Sequence, residues 1–259
     1  MTTGIELKAR WHRGEVILGS FVHCTDPSFV NIYAHLGFDY LMIDTEHQPF
    51  NPETLQTLLL TIRASPSAPL VRVAANDTAM IKHALDFGAE GVMVPLVNNA
   101  KEARAAVAAC KYPPLGKRGM GGRAVTDFYR SREEYVRTAN ERTIVFLQIE
   151  DIEAVNRIDE IARVPGIDCL VTGQVDLAAS MGLGWQPAHP TVTEATQRVV
   201  DAALAHGVAP GLGLSGSDLE QAMSWIERGV QIVSLDMDWM YMARGARDTL
   251  TAVRRGLAR

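Results

Sequence analysis

In the stretch IVFLQIEDIEAVNRIDEIARVPGIDCLVTG (144–173), two apolar runs, IVFLQIE (144–150) and CLVTG (169–173), flank a polar segment. Each run is continuous rather than alternating, as expected for a parallel strand buried on both faces. Working outward, the same kind of run recurs as VILGSF (16–21), YLMID (40–44), LVRV (70–73), GVMVPL (91–96), PGLGL (210–214) and IVSLD (232–236). Helical patterns lie between them, among them PETLQTLLLTIRA (52–64), DTAMIKHALDFGA (77–89), NAKEARAAVAAC (99–110) and EATQRVVDAALAHG (194–207). Asn51-Pro52 and Asp77 are start signals for such helices, and Gly88 and Gly207 are stop signals. Eight strands in 259 residues is the arithmetic of an α/β chain folded as a (β/α)8 TIM-type barrel, which typically takes ~250 residues. The competitor, an open doubly wound sheet, usually carries a glycine-rich turn after its first strand. Here that strand runs into SFVHCTDPS (20–28). The expectation is one barrel domain over residues 1–259.

Composition narrows the function classes. A hydrophobic share of 47% supports a sizeable core, and 30 acidic against 25 basic residues leave a net charge of −5. A nucleic-acid footprint would be a basic patch on a basic domain, so no nucleic-acid partner is expected. No apolar stretch approaches the roughly 18 to 20 residues of a membrane span. The segment MTTGIELKARWHRGE (1–15) lacks the apolar core of a secretory signal, so the expected location is cytoplasmic, with no membrane partner. Cys24, Cys110 and Cys169 are odd in number, far apart and without a CxxC pair. They read as reduced thiols rather than a disulfide or zinc framework. Arg244, Arg247, Arg254, Arg255 and Arg259 read as the solvated face of a last helix.

In a barrel the chemistry belongs to the C-terminal strand ends. The second strand ends in Asp44-Thr45-Glu46-His47 and the third near Arg72. The fifth ends in Gln148-Ile149-Glu150, the sixth runs into Thr172-Gly173-Gln174-Val175-Asp176, and the eighth ends in Asp236. Unpaired buried charge is expensive, so these groups are predicted to be paired or to hold a metal. Gln148 and Glu150 are two apart and point to one side of a strand. Glu150 and Asp176 are the candidate metal pair, a donor set that suits Mg2+ or Mn2+ in a partly open coordination sphere. The plain alternative is a surface Glu and an Asp that caps the next helix.

His47 is the candidate general base, although His12, His23, His35, His83, His189 and His206 show that a lone histidine proves little. Asp44 or Asp86 would hold its imidazole, and Asp86 reads more naturally as a carboxylate on a helix surface. Arg72 interrupts the apolar run LVRV, where its planar fork of donors suits an anion or a carbonyl oxygen. A salt bridge to a strand-end acid is the alternative.

Two intervals are long: KYPPLGKRGMGGRAVTDFYR (111–130) and AASMGLGWQPAHP (178–190). Both are expected at the C-terminal face. Arg118 and Arg123 in GKRGMGGR (116–123) would grip a carboxylate or phosphate, in a loop that is neither a Walker loop nor a dinucleotide fingerprint. Phe128 and Trp185 either line the mouth or simply pack. Met237, Trp239, Met240, Tyr241 and Met242 form an apolar patch, for barrel closure or an oligomer contact.

At these residues the sequence resembles the metal-dependent class II pyruvate aldolases of the HpcH/HpaI (4-hydroxy-2-oxoheptanedioate and 2-keto-3-deoxy sugar acid) family. The matching pieces are GFDYLMIDTEHQPF (37–50), LVRVAANDTAMIKHALDFGAEGVMVPLVNNAKEARAAV (70–107), KYPPLGKRGMGG (111–122), FLQIED (146–151) and GIDCLVTGQVDLAASMG (166–182). They occur in the family's order and span most of the chain. The resemblance implies a modified (β/α)8 barrel of the phosphoenolpyruvate/pyruvate-binding type, with the last helix exchanged between subunits. It also implies a homohexamer built as a dimer of trimers. Glu150 and Asp176 would hold Mg2+, Mn2+ or Co2+, on which pyruvate chelates. Gln148, Gly173, Val175, Asp176 and Arg72 would complete the pyruvate pocket. Arg72 would stabilise the enolate oxygen, and His47, made more basic by Asp86 and oriented near Asp44, would be the base. Lys82 and Lys117 lie at no obvious strand end, which disfavours a Schiff-base mechanism.

The chain departs from the family pattern twice. The usual Gly-Pro-x-Asp-Leu-Ser reads Gly173-Gln174-Val175-Asp176-Leu177-Ala178, and the small residue after the loop histidine is Gln48. Both border the pocket and bear on substrate preference. The expected reaction is cleavage or formation of a 4-hydroxy-2-oxo acid, with small-molecule 2-oxo acid and aldehyde partners. The alternatives are a pyruvate- or oxaloacetate-handling lyase or decarboxylase on the same site, and a non-catalytic binding barrel.

Overall fold

Eight parallel strands hydrogen-bond in chain order and close on themselves. The computed structural model describes residues 1–214 and 219–258, so Arg259 of the predicted basic face lies outside the described residues. The order is α1 (Gly4–His12), β1 (Ile17–Val22), α2 (Pro27–Ala34), β2 (Tyr40–Asp44), α3 (Pro52–Arg63), β3 (Ala68–Arg72), α4 (Thr78–Phe87) and β4 (Gly91–Val94). Then come α5 (Ala100–Cys110), α6 (Arg132–Arg142), β5 (Ile144–Ile149), α7 (Ile152–Asn156), α8 (Ile158–Ala162), β6 (Cys169–Thr172) and α9 (Gln174–Ser180). The chain finishes with α10 (Pro190–Ala205), β7 (Ala209–Leu214), α11 (Leu219–Glu227), β8 (Ile232–Met237) and α12 (Asp238–Leu257). Pairing of β1 with both β2 and β8 removes the open-sheet alternative.

Local chemistry sets the helix ends. The Asn51 side chain accepts from the Thr54 amide with Pro52 in the first turn, and Asp77 accepts from the Ala79 and Met80 amides. These side chains satisfy amides that a helix start leaves unpaired. Gly88 ends α4 at φ +122°, a conformation that glycine adopts without a Cβ penalty. α10 starts at Pro190, earlier than the periodicity from 194 suggests, because His189 caps it and proline is tolerated in a first turn.

Alternate strand residues supply two cores. Inside the barrel, Ile17, Tyr40, Met42, Leu70, Met93, Phe146 and Val171 pack together, and Leu7 and Trp11 of α1 close the N-terminal end. Outside, Leu41, Ile43, Val71, Val92, Leu147 and Leu170 pack under the helices. Gly91 shows how tight the sheet is, since a Cβ there would sit 2.4 Å from the Ile144 carbonyl oxygen of the paired strand. Gly91→Ala is therefore expected to cost about 1–3 kcal/mol, read as a lowered denaturation midpoint.

The two long intervals separate. Residues 181–189 follow α9 on the C-terminal side, where the Ile152 amide at the start of α7 donates to Ser180 Oγ. The interval 111–130 does not reach that face, contrary to expectation. It leaves the end of α5, and Lys111 Nζ donates to the carbonyls of Asn140 and Thr143 just before β5. In a βα barrel a helix ends where the next strand begins, so this segment sits at the opposite end from the chemistry.

The first turns of α12 pack on the barrel, with Tyr241 against Tyr33 and Phe38, while residues 247–258 are exposed. Arg244 is not a solvated cation, because it pairs with Asp236. Among the described residues no helix is long and apolar enough to cross a membrane.

Candidate active site

The adjacent ends of β2 and β3 place Asp44 opposite Arg72 in register. Arg72 Nε donates to Asp44 Oδ1 at 2.9 Å and Nη2 to Oδ2 at 2.8 Å. This two-point clamp fixes the plane of the guanidinium. His23, one residue past β1, adds Nε2 at 3.2 Å from Asp44 Oδ2. Burial alone raises the Asp44 carboxyl, but the His23 and Arg72 hydrogen bonds and the Arg72 charge outweigh it and hold the group well below the usual carboxylate range. Arg72 also lies 4.8 Å over the Phe21 ring and 3.3 Å from Glu46 Oε2. The salt-bridge alternative for Arg72 is thus present, to a strand-end acid, and the same side chain lines a cavity.

Glu150 follows directly after β5 and touches two residues of the cavity lining, Gln148 and Gly173. Its Oε1 accepts from the Leu96 amide at 2.8 Å and its Oε2 from Gln148 Nε2 at 2.6 Å, so the two side chains share one side as the spacing predicts. Burial pushes the Glu150 carboxyl up to about 7. The Leu96 amide opposes that rise, Glu46 and Asp176 add to it, and Arg72 tempers it. Gly173 is the floor of this region, where a Cβ would stand 2.8 Å from Glu150 Oε2 and 3.0 Å from Gln148 Nε2. Asp176, in the first turn of α9, is exposed and faces the cavity.

The cavity is about 210 Å3 and is lined by Arg72, Asp44, His47, Gln148, Gly173, Val175 and Asp176, among others. Asp44, His47, Arg72, Gln148, Gly173, Val175 and Asp176 thus line one depression at the C-terminal strand ends, whereas Asp86, Arg118 and Arg123 do not. In that lining Gln148 Oε1 and Thr172 Oγ1 are buried without a hydrogen-bond partner. Leaving such atoms unsatisfied costs about 1–3 kcal/mol each, which marks a place shaped for a polar ligand. Among the described residues no group of three or more His, Cys, Asp or Glu has metal-holding geometry. The residues that would hold a metal ion are the predicted pair, Glu150 and Asp176, with the unsatisfied oxygens nearby. Those donors fit a hard divalent cation whose remaining ligands are substrate and water oxygens.

Asp86 is a correction. It lies near the end of α4, on the strand N-terminal side, and accepts from Arg118 Nη2 at 2.9 Å. A role at His47 requires a second copy of the chain, because helix α4 carries Asp86 away from the catalytic end. Arg118 is corrected with it: buried, paired with Asp86 and stacked on Tyr112 at 4.7 Å, it grips no substrate in this cavity. Arg123 is exposed and also absent from the cavity lining. His47 is at the rim with its side chain 60% exposed, and its Nε2 lies 3.6 Å from Glu46 Oε2.

Sequence reasoning missed His23 and gave no role to Glu46. Both were findable, since His23 directly follows the first strand and Glu46 sits between Asp44 and His47.

The sequence profile of the family described as HpcH/HpaI aldolase/citrate lyase matches residues 18–244. The 4-hydroxy-2-oxo-heptane-1,7-dioate aldolase of Salmonella typhimurium is 38% identical over 234 residues, covering 90% of this chain and 88% of that protein. A crystal structure of an HpcH/HpaI aldolase/citrate lyase family protein from Burkholderia cenocepacia aligns with TM-score 0.89 at 34% identity, over 96% of this chain and 98% of that one. The crystal structure of citrate synthase SbnG aligns with TM-score 0.87 at 32% identity, over 98% of this chain and all (100%) of the other. With its closed barrel and this set of strand-end residues, the chain belongs to the HpcH/HpaI aldolase/citrate lyase family, a family of carbon–carbon lyases.

Proposed function

We propose that the chain is a class II pyruvate aldolase, which reversibly cleaves a 4-hydroxy-2-oxo acid to pyruvate and an aldehyde. Glu150 and Asp176 would hold Mg2+, Mn2+ or Co2+. The observation that carries this reading is one cavity that joins the clamped Arg72 to Asp176 and to Gln148, which donates to the buried Glu150 beside it, with unsatisfied polar atoms in the lining. A bound divalent cation supplies Lewis-acid polarisation of the substrate ketone.

The chain's own residues do the rest. Arg72, fixed by Asp44, presents N–H donors to the oxygen that gains charge as the C3–C4 bond breaks, and needs no reorganisation to do so. Gln148, Gly173 and Val175 shape the pocket for the three-carbon acid. His47, at the exposed rim, takes the proton from the C4 hydroxyl in cleavage and returns it in synthesis. We place the enzyme in the cytoplasm as a homo-oligomer, a hexamer of exchanged C-terminal helices. The exposed outer half of α12 supports that assembly.

The second reading is decarboxylation of oxaloacetate in the same cavity. It is favoured by the position of His47, exposed at the rim and outside the Arg72–Asp44 clamp. Loss of CO2 needs charge stabilisation but no base at C4. His47→Ala is therefore expected to lower aldol cleavage by about 10²–10⁴-fold and to leave most oxaloacetate decarboxylation in place. Both activities are measured on metal-loaded protein, and equal loss of the two would refute this division of roles.

A further inference from the structure

Beside the catalytic cavity lies a second one of about 330 Å3, lined by His23, Cys24, Phe29, Gln48, Trp239 and Met242. The two cavities share His23. The Trp239 indole N–H lies 3.3 Å from His23 Nδ1. Indole can only donate, so Nδ1 accepts, and the Nε2–H of the imidazole faces Asp44 Oδ2. One side chain thus ties the wall of the second cavity to the anchor of Arg72.

The wall is preformed. Asp238 Oδ2 accepts from the His23 and Cys24 amides at 2.9 and 2.8 Å, and its Oδ1 accepts from the Trp239 amide at 2.7 Å. This carboxylate pins the end of β1 to the start of α12. The Trp239 side of the cavity is half exposed, which leaves an aromatic face for a ligand to cover. The volume suffices for a ring, since an apolar cavity of about 150 Å3 takes up benzene. No Lys or Arg is among the described residues that line it. A terminal carboxylate placed there would lose hydration without gaining a counter-charge.

We propose that this cavity is the subsite for the aldehyde half of the substrate, with Trp239 as its specificity-determining wall. It selects an apolar, aromatic-sized substituent over a chain that ends in a carboxylate. The inference rests on the aldolase reading and names its substrate class. In the synthetic direction a bond forms between pyruvate C3 and the aldehyde carbon. C3 loses a proton and the aldehyde oxygen gains one, while the substituent on that carbon occupies the cavity past His23.

The test compares pyruvate addition to phenylacetaldehyde and to succinic semialdehyde by the metal-loaded enzyme. The expected kcat/KM ratio favours phenylacetaldehyde by at least about tenfold. Trp239→Ala is expected to raise KM for phenylacetaldehyde about tenfold with KM for pyruvate unchanged, and Trp239→Phe to keep most of the preference. Met242→Ala, at an exposed position, should move KM the same way by less and serves if Trp239→Ala fails to fold. A preference for succinic semialdehyde, or an equal effect of Trp239→Ala on both aldehydes, overturns the proposal. So does a change in oligomer mass with unchanged aldehyde preference, which would assign Trp239 to a subunit contact. Pyruvate C3-proton exchange separates the two levels: exchange with the wrong aldehyde preference overturns the subsite alone, and no exchange overturns the aldolase reading together with it.

Discussion

Arg72→Ala is expected to lower kcat for pyruvate release by about 10²–10³-fold, the usual loss when one preorganised donor to a developing oxyanion is removed. The same substitution strips Asp44 of both guanidinium hydrogen bonds and leaves a buried carboxylate with His23 as its remaining side-chain partner. Removing one member of a buried pair costs about 3–5 kcal/mol, so a drop in denaturation midpoint should accompany the kinetic loss. Arg72→Lys separates the two effects. It keeps the charge and loses the planar fork, so it should recover stability in part while kcat stays low. If Arg72→Lys restores full turnover, charge alone suffices and the clamp geometry is not catalytic.

The second large effect belongs to Glu150. Only its ionised form ligates a cation, and burial pushes its carboxyl up to about 7 in the metal-free protein. Below that pH a proton must leave for each cation bound. Affinity for Mg2+ or Mn2+ should therefore fall about tenfold per pH unit on the acid side of 7 and level off above it. Calorimetric titration across pH 5.5 to about 8.5 reads this slope. Glu150→Gln should lower affinity by more than the roughly 10–100-fold typical of outer-sphere substitutions and flatten the slope, with turnover lost at millimolar metal. Strong, pH-independent cation binding in wild-type protein would place the metal elsewhere.

Much of this was legible because parallel strands buried on both faces write themselves as continuous apolar runs. All eight were readable, and their C-terminal ends delivered Asp44, Arg72, Gln148 and Asp176 to one depression, with Glu150 bonded to Gln148 beside it. What failed was reasoning about loops. A long glycine-rich segment looks the same in sequence whether it follows a strand or a helix, and 111–130 follows α5. That one difference moved Arg118 and Arg123 to the far end of the barrel. Asp86 illustrates the opposite limit. Its helical spacing correctly suggested a carboxylate on a helix, whereas family likeness assigned it to His47, and within one chain Arg118 holds it. The His23–Trp239 contact joins residues 216 positions apart, a pairing that no local periodicity encodes.

The central claim is that this cavity activates pyruvate with the help of a divalent cation. Its most direct test is exchange of the pyruvate C3 protons in D2O, followed by NMR on EDTA-stripped protein with and without added Mn2+ or Mg2+. The account predicts negligible exchange in stripped protein, restoration by either ion, and loss of that restoration in Glu150→Gln. Exchange that is indifferent to metal, or absent with every divalent ion, would contradict it.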